Sequence, residues 1–448
     1  MANQLSLSLY DELINSFDDV AITGTRSEAV QRAREEGLQS FKRSGFPTRR
    51  NEEWKYTNIT PYLQENYVID GITTSTIQKE LIDKALIPNL DCYQLVLING
   101  QVQTSGHASS IPSFVKVQAI SEAQKDEAFT KYFSKGTDVE AFPFSALNTA
   151  MFTNGLFIEV TANTLLDKPL HIVHVFTTGN DNVFIQPRHL VVVQKGASFN
   201  LIESIVSQKS TSKIFVNSLA EVFIEENANC DHYVLQTAQS GTRLVTATEV
   251  SQLRHSVYSN YTFSLPGAEI IRNNLHLSLN DKETETHLYG LYLGAGSQLI
   301  DNHSLVNHKM PHCNSNEIYK GVLTENSTGV FNGKIYVQPD AQKTNAFQQN
   351  NNLLLSDKAS VNSKPQLEIF ADDVKCSHGS TVGQLSKEAM FYLQSRGIGE
   401  QKAKALLVNA FAFDVTEKIK IPELEEYINH LITHHIPLGE TVIEDVEK

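Results

Sequence analysis

Leu275-His276-Leu277-Ser278-Leu279 alternates apolar and polar side chains. A period of two marks a strand with one buried face, because successive Cβ atoms leave opposite sides of the pleat. The same β-rich texture recurs at Leu95-Val96-Leu97-Ile98, at Leu156-Phe157-Ile158-Glu159-Val160, from His189 to Val193, and at Lys334-Ile335-Tyr336-Val337. Between such segments a small-residue turn returns: Gly196-Ala197, Asn227-Ala228, Gly267-Ala268, Gly294-Ala295, Ser327-Thr328 and Lys358-Ala359. From the second residue of each, the gaps are 31, 40, 27, 33 and 31. The repeat is inexact, but it fits strand–turn–strand coils of variable length stacked on one another. Asn350-Asn351-Asn352 and Asn345 suit turns in such a stack, where amide side chains can ladder between coils. The pattern predicts a mainly β protein with a β-helix core; a two-sheet sandwich is the alternative.

Helical sequence flanks this core. Residues 1–90 read as an N-terminal helical domain. Thr25-Arg26-Ser27-Glu28 is a capping-box pattern, and helix formers run to Gln39 before Gly45, Pro47 and Thr48 break the helix. Ser75 to Leu86 is a second candidate, with Ser75 as its N-cap. The β core spans 91–383, interrupted by a helical stretch at about 120–133. Residues 384–448 form a C-terminal helical domain. Ser386 caps a helix through Leu393 that Gly397 ends, and Glu400 to Phe413 follows. After Pro422, the residues Leu424, Tyr427, Ile428, Leu431 and Ile432 share one face. These helices would pack on the core or offer a face to another subunit.

The chain has 448 residues, about three times the ~150-residue domain prior. A stacked repeat explains how one core can be so long. Hydrophobic content of 41% and charged content of 20% allow a large core and exclude wholesale disorder. With 37 basic against 51 acidic residues the net charge is −14, which disfavours nucleic acid and an anionic membrane as partners. Cys92, Cys230, Cys313 and Cys376 lie far apart without a CxxC pair, which excludes a disulfide framework and a zinc ribbon. No apolar run approaches the ~18 residues of a membrane helix. Met1-Ala2-Asn3-Gln4 does not open a signal peptide. A reducing cytoplasm is the expected compartment.

Several motifs only resemble chemistry. Gly329-Val330-Phe331-Asn332-Gly333-Lys334 mimics a P-loop, but it is one residue short and carries Ile335 where Ser or Thr would hold magnesium. It reads as a turn. Gly397-Ile398-Gly399 reads as a turn between helices. The strongest constellation is Asp372-Asp373-Val374-Lys375-Cys376-Ser377-His378-Gly379. In an extended chain Cys376 and His378 project from one face, and Lys375 and Ser377 from the other. A thiol beside an imidazole suits iron or zinc, and Lys375 could lower the thiol pKa. Two ligands are half of a typical site, so the rest must come from elsewhere in the chain or from a partner. A buried thiol beside a surface histidine is the plainer reading. Cys230-Asp231-His232 repeats the spacing and warns that it can arise by chance. His303, His308, His312 and Cys313 form a third cluster of no known ligand spacing. His434-His435 reads as a solvated helix end. Trp54, the only tryptophan, reads as an aromatic anchor between the helical region and the core, or as part of a partner surface.

The stretch from Lys364 through Cys376-Ser377-His378-Gly379 to Gly383 resembles the hallmark of the SufB/SufD family of iron–sulfur cluster assembly scaffolds. Phe144-Ser145-Ala146-Leu147-Asn148-Thr149-Ala150, Pro311-His312-Cys313-Asn314-Ser315-Asn316 and Asn350 to Asp357 support it. So do Phe391-Tyr392-Leu393-Gln394-Ser395-Arg396-Gly397-Ile398, similar to the family's C-terminal motif, and Pro47-Thr48-Arg49-Arg50 with Glu53-Trp54-Lys55-Tyr56, similar to its N-terminal one. The Cys-Ser-His-Gly wording resembles the SufD branch; the SufB branch reads more like Cys-Asp-Ser. The resemblance implies a right-handed parallel β-helix between helical N- and C-terminal domains. It implies a non-catalytic scaffold of a SUF-type complex in the cytoplasm, paired with a SufB-like paralogue and with a SufC-like ABC ATPase docked on the C-terminal helices, around Phe391, Tyr392, Arg396 and Gly397. Cys376 and His378 fall where the family carries its functional Cys-x-His, and they would contribute to a transient iron–sulfur cluster shared with the paralogue. A reduced flavin is also linked to the family, and no motif here places one. A homodimer of the isolated chain, a polysaccharide-active β-helix enzyme and a purely structural subunit remain as alternatives.

Overall fold

The computed structural model describes residues 8–18, 27–69, 79–103 and 111–435. From Leu156 onward the strands alternate between a twelve-stranded and a ten-stranded sheet. Within each sheet they run parallel: Asn229–Gln236 lies between Ser198–Ser207 and Val257–Ser264, and Thr242–Gln252 between Ile214–Ile224 and Ile270–Leu279. A sandwich joined by hairpins would be antiparallel. This is a parallel β-solenoid of about eight coils over 157–383, with a helical N-terminal region and C-terminal helices. The helical interruption is also present, as Ile120–Ala123 and Glu127–Tyr132.

Strands of the ten-stranded sheet begin at Ser198, Asn229, Val257, Glu285, Asn314, Asn345 and Lys375, so one coil takes 28 to 31 residues. The uneven gaps in the sequence have a simple cause. Ala197 and Ala228 precede strands of the ten-stranded sheet, whereas Ala268 and Ala295 stand at the opposite corner, before strands of the twelve-stranded sheet. The gap of 40 is one coil plus a step between corners. A sharper repeat lies in the backbone. Gly196, Asn227, His255, Glu283, His312 and Lys343 each sit two residues before a strand of the ten-stranded sheet, and each has φ between 57° and 68°. One left-handed residue turns the chain at six of these seven corners, all but the one before Lys375, and only the first is glycine.

The interior is apolar along much of its length, with Val191, Leu201, Ile214, Leu244, Leu277, Val306 and Phe331 buried together. Helices cover both outer faces. Phe41, Trp54 and Phe144 pack on Phe184, Phe215 and Val245 of the twelve-stranded sheet. Val408, Ala412, Leu424 and Ile428 pack on Tyr233, Tyr261 and Tyr289 of the ten-stranded sheet. Trp54 is the expected anchor: the Arg272 guanidinium lies 3.8 Å over its ring, and Phe144 is 5.2 Å away. Ser27 caps Glu28–Ser44 by accepting from the Val30 N–H, and Gly45 ends that helix with φ 61°. Thr25, Arg26 and Ser75 lie outside the described residues. No helix among the described residues is long and apolar enough to cross a membrane.

Two expectations need correction. Residues 329–334 lie inside strand Thr328–Val337, not in a turn, because the glycines make room for neighbouring coils. A Cβ at Gly329 would lie 3.0 Å from Tyr292, and one at Gly333 2.3 Å from the Gln348 amide nitrogen. Asn350, Asn351 and Asn352 likewise lie within strand Asn345–Leu354. Their amides do bridge coils: Thr381 donates to Asn351 at 2.8 Å, and Asn350 donates to the Tyr319 carbonyl.

Burial holds three histidines neutral: His171 is pushed down to about 4, and His189 and His308 to about 3. Their folded values lie below the unfolded one, so they stabilise the fold above pH ~6.5 and lose that contribution as pH falls toward 3. Glu317 has the opposite sign. Burial raises it to about 7, so its contribution is full below the unfolded value and is lost as pH rises through 7. Three depressed imidazoles outweigh one raised carboxyl. The urea midpoint is therefore expected to fall between pH 7 and pH 4. His308→Gln, which can keep the bond to Ser315, should recover on the order of 1–3 kcal/mol of the loss at pH 4. An unchanged difference between the two pH values in that variant would remove His308 from the account.

Candidate functional site

The last coil ends in strand Lys375–Gly383, which pairs on one side with Asn345–Leu354 and is the terminal member of its sheet. In the other sheet, Ser360–Ser363 and Gln366–Ile369 pair only with Thr328–Val337. Both sheets therefore stop at the same end of the solenoid, each with a backbone edge that no described strand pairs. Such an edge is a template for pairing with another strand.

Cys376 and His378 stand on this final strand, in register with Ala346 and Gln348 one coil inward. Cys376 packs beside Ile335, Val337 and Ala346 of the interior. Ser380, four residues on, is 2.8 Å from the Ser363 hydroxyl, which donates to the Asn350 amide oxygen at 2.8 Å. Alternation therefore puts Cys376, His378 and Ser380 on the interior face. They remain accessible because no coil follows. Gln348 is 3% exposed, whereas His378 is exposed and Cys376 half-buried. Burial raises the Cys376 thiol, partly offset by a hydrogen bond with the Ala346 backbone. Lys375 projects from the opposite face and does not perturb the thiol, so the expected activation by that cation is absent.

The other candidates separate by environment. Cys230 and His232 occupy the same two columns of the ten-stranded sheet as Cys376 and His378, five coils earlier. There the site is sealed. Glu203 accepts from His232 at 2.6 Å and from His174 at 2.7 Å, and Tyr258 lies 3.0 Å from the other nitrogen of His232. Burial drives the Cys230 thiol far above its usual range. The third cluster disperses. His303 faces Glu53 and Asp301 on the outer surface, His308 bonds Ser315 inside, His312 makes a corner, and Cys313 donates to the Asp281 carbonyl. Among the described residues no three His, Cys, Asp or Glu side chains gather closely enough to hold a metal ion.

At the C-terminal side, helix Lys387–Ser395 buries no residue; Phe391 is 73% and Tyr392 55% exposed. Arg396 lies 4.6 Å over the Tyr392 ring. Gly397, with φ 84°, turns the chain into Glu400–Thr416, as expected of a turn between helices. Sequence reasoning missed the polar residues behind His378, because Glu317 and Gln348 carry no motif and meet only through the coil register.

The fold and the site define a class: a parallel β-solenoid with helical flanks, whose thiol and imidazole stand on an open end and not in a closed cleft. Residues 175–411 match the family model described as SUF system FeS cluster assembly, SufBD core domain, and residues 6–172 match the SufBD protein N-terminal region. The chain belongs to the SufBD family of the SUF iron–sulfur cluster assembly system. It is 30% identical to an iron–sulfur cluster assembly SufBD family protein of Synechocystis, across 93% of each chain. It is 29% identical to the iron–sulfur cluster assembly protein SufD of Escherichia coli, over 90% of this chain and 92% of that one. Protein ABCI7, chloroplastic, of Arabidopsis thaliana is 27% identical over 92% of this chain.

Proposed function

We propose that this chain is a non-catalytic scaffold subunit in which Cys376 and His378 supply part of the seat for a nascent iron–sulfur cluster. A SufB-like paralogue would add the remaining ligands by pairing with the open end of the solenoid. The observation that carries this reading is the placement of the pair: two ligand-type side chains on the last rung, beside an edge with unused backbone donors and acceptors. Phe347, Ile369, Phe370 and Val382 are exposed around that end and offer apolar area to a partner. A SufC-like ATPase would dock on helix Lys387–Ser395 through Phe391 and Tyr392, with Arg396 and Gly397 shaping the end of that surface. The complex would work in the reducing cytoplasm, where the Cys376 thiol stays free.

The test is anaerobic reconstitution of the complex with the paralogue and the ATPase, with iron and sulfide counted per complex. His378→Ala is expected to lower the cluster yield at least about tenfold, as expected for losing a ligand where two of about four come from this chain. Assembly of the complex should be unchanged, because His378 is exposed and its side chain bonds no other described residue. Cys376→Ala should act in the same direction. A wild-type yield from His378→Ala would remove that residue from the mechanism, and a wild-type yield from the double variant would leave a purely structural subunit.

A further inference from the structure

We propose that Gln348 positions His378: its amide oxygen accepts one ring N–H of the imidazole and leaves the other ring nitrogen bare toward iron. This rests on the reading of His378 as a ligand given above. It concerns which nitrogen is presented and what holds the ring.

Glu317, Gln348 and His378 are successive partners in one column of the ten-stranded sheet, all on the interior face. The Gln348 amide nitrogen donates to Glu317 at 2.7 Å, and the Ser304 hydroxyl donates to the other Glu317 oxygen at 2.5 Å. Both carboxyl oxygens thus receive a donor, and the orientation of the Gln348 amide is fixed by that pairing. Its oxygen is buried and has no hydrogen-bond partner among the described residues. Buried acceptors without a donor are rare and call for a reason. Coils stack about 4.8 Å apart, so the side chain within reach along the column is that of His378. His378 is exposed and its side chain makes no hydrogen bond among the described residues, so rotation of that side chain can supply the donor without moving the backbone. Gly333 completes the cradle: a Cβ there would lie 2.3 Å from the Gln348 amide nitrogen and would push the amide out of line. A metal-bound imidazole commonly donates its second nitrogen to a carbonyl or carboxylate, which sets the tautomer and the ring plane. The column supplies that acceptor one coil behind the open face.

The experiment uses the full-length chain labelled with 13C and 15N at histidine, with the His378 resonances assigned by their loss in His378→Ala. The wild-type ring is expected to hold one tautomer. Gln348→Leu removes the acceptor and should shift the tautomer ratio about tenfold toward a mixture, the scale of one hydrogen bond. Exchanging the pair, Glu317→Gln with Gln348→Glu, reverses that bond, so that the amide at 317 donates to one carboxylate oxygen at 348 and the other oxygen is left to accept from His378, and the wild-type tautomer should return. A ratio unmoved by Gln348→Leu overturns the proposal. If that variant does not fold, loss of the wild-type tautomer in the exchanged pair overturns it instead. The readout needs no cluster. A normal cluster yield from His378→Ala would defeat the ligand reading while the tautomer measurement still decided whether Gln348 orients the ring.

Discussion

Arg188→Met is expected to destabilise the first coils by about 3–5 kcal/mol, the cost of leaving a buried carboxylate without its cation. Arg188 and Glu221 have no exposed side-chain surface and meet at 2.7 Å. The same guanidinium donates to Thr149 at 2.6 Å and lies 5.0 Å from the Phe133 ring. Glu221 accepts from the backbone N–H groups of Ser134 at 2.8 Å and Gly136 at 2.9 Å. One ion pair therefore ties four elements: the segment after Glu127–Tyr132, helix Pro143–Met151, and strands Arg188–Val193 and Ile214–Ile224 of the twelve-stranded sheet. Removing the cation leaves Glu221 charged among apolar rings, with two backbone donors as its remaining partners. Urea unfolding should show a lower midpoint, and hydrogen exchange should rise first in 127–151, because solenoid stability is local to neighbouring coils. Arg188→Met with Glu221→Met should recover much of the loss, since a matched apolar pair carries no orphaned charge. A single-variant loss under about 1 kcal/mol would mean that water or relaxation reaches the site and the burial argument fails.

Nothing in the sequence announces that pair, and the reason is general. Strand alternation is local, so 275–279 and 334–337 reveal their period directly, and the stacked-coil fold follows. Register is not local. Arg188 and Glu221 are 33 residues apart and meet because Leu219, two residues before Glu221, is the register partner of Arg188 one coil on, not because a motif joins them. The corners were half legible for the same reason. A search for small residues finds Gly196 and Asn227, but His255, Glu283, His312 and Lys343 take the same left-handed turn with ordinary side chains. His312 thus entered a supposed ligand cluster when its role is geometric. The site shows the same limit. Spacing nominated Cys376 with His378 and Cys230 with His232 alike, and the structure puts both pairs in the same columns. What separates them is position along the stack: one is sealed under further coils, the other stands where the stack stops. A sequence carries no marker for the end of a solenoid except the change from strand to helix pattern after Gly383.

The stack's end sets the second large expectation. Phe370→Asp with Val382→Lys should abolish pairing with the paralogue, weakening it about 100-fold or more, while the chain still folds. Phe370 is 56% and Val382 52% exposed, so neither charge is forced into this chain's core. Strand Lys375–Gly383 keeps its register with Asn345–Leu354, because those bonds are on its inner side. A second solenoid brought against the edge would have to bury both charges without partners, which costs several kcal/mol and is how natural edges are kept from pairing. Sedimentation of the isolated variant should give a monomer, since a second copy of the chain would use the same edge. Phe391→Ala with Tyr392→Ala provides the contrast. It removes exposed aromatic area from helix Lys387–Ser395 and leaves strand Lys375–Gly383 unaltered, so it should release the ATPase and leave the paralogue bound. Full-strength pairing by the charged-edge variant would mean that the partner docks elsewhere. Cys376 and His378 would then face solvent in the complex, and a shared cluster at this end would have nothing to complete it.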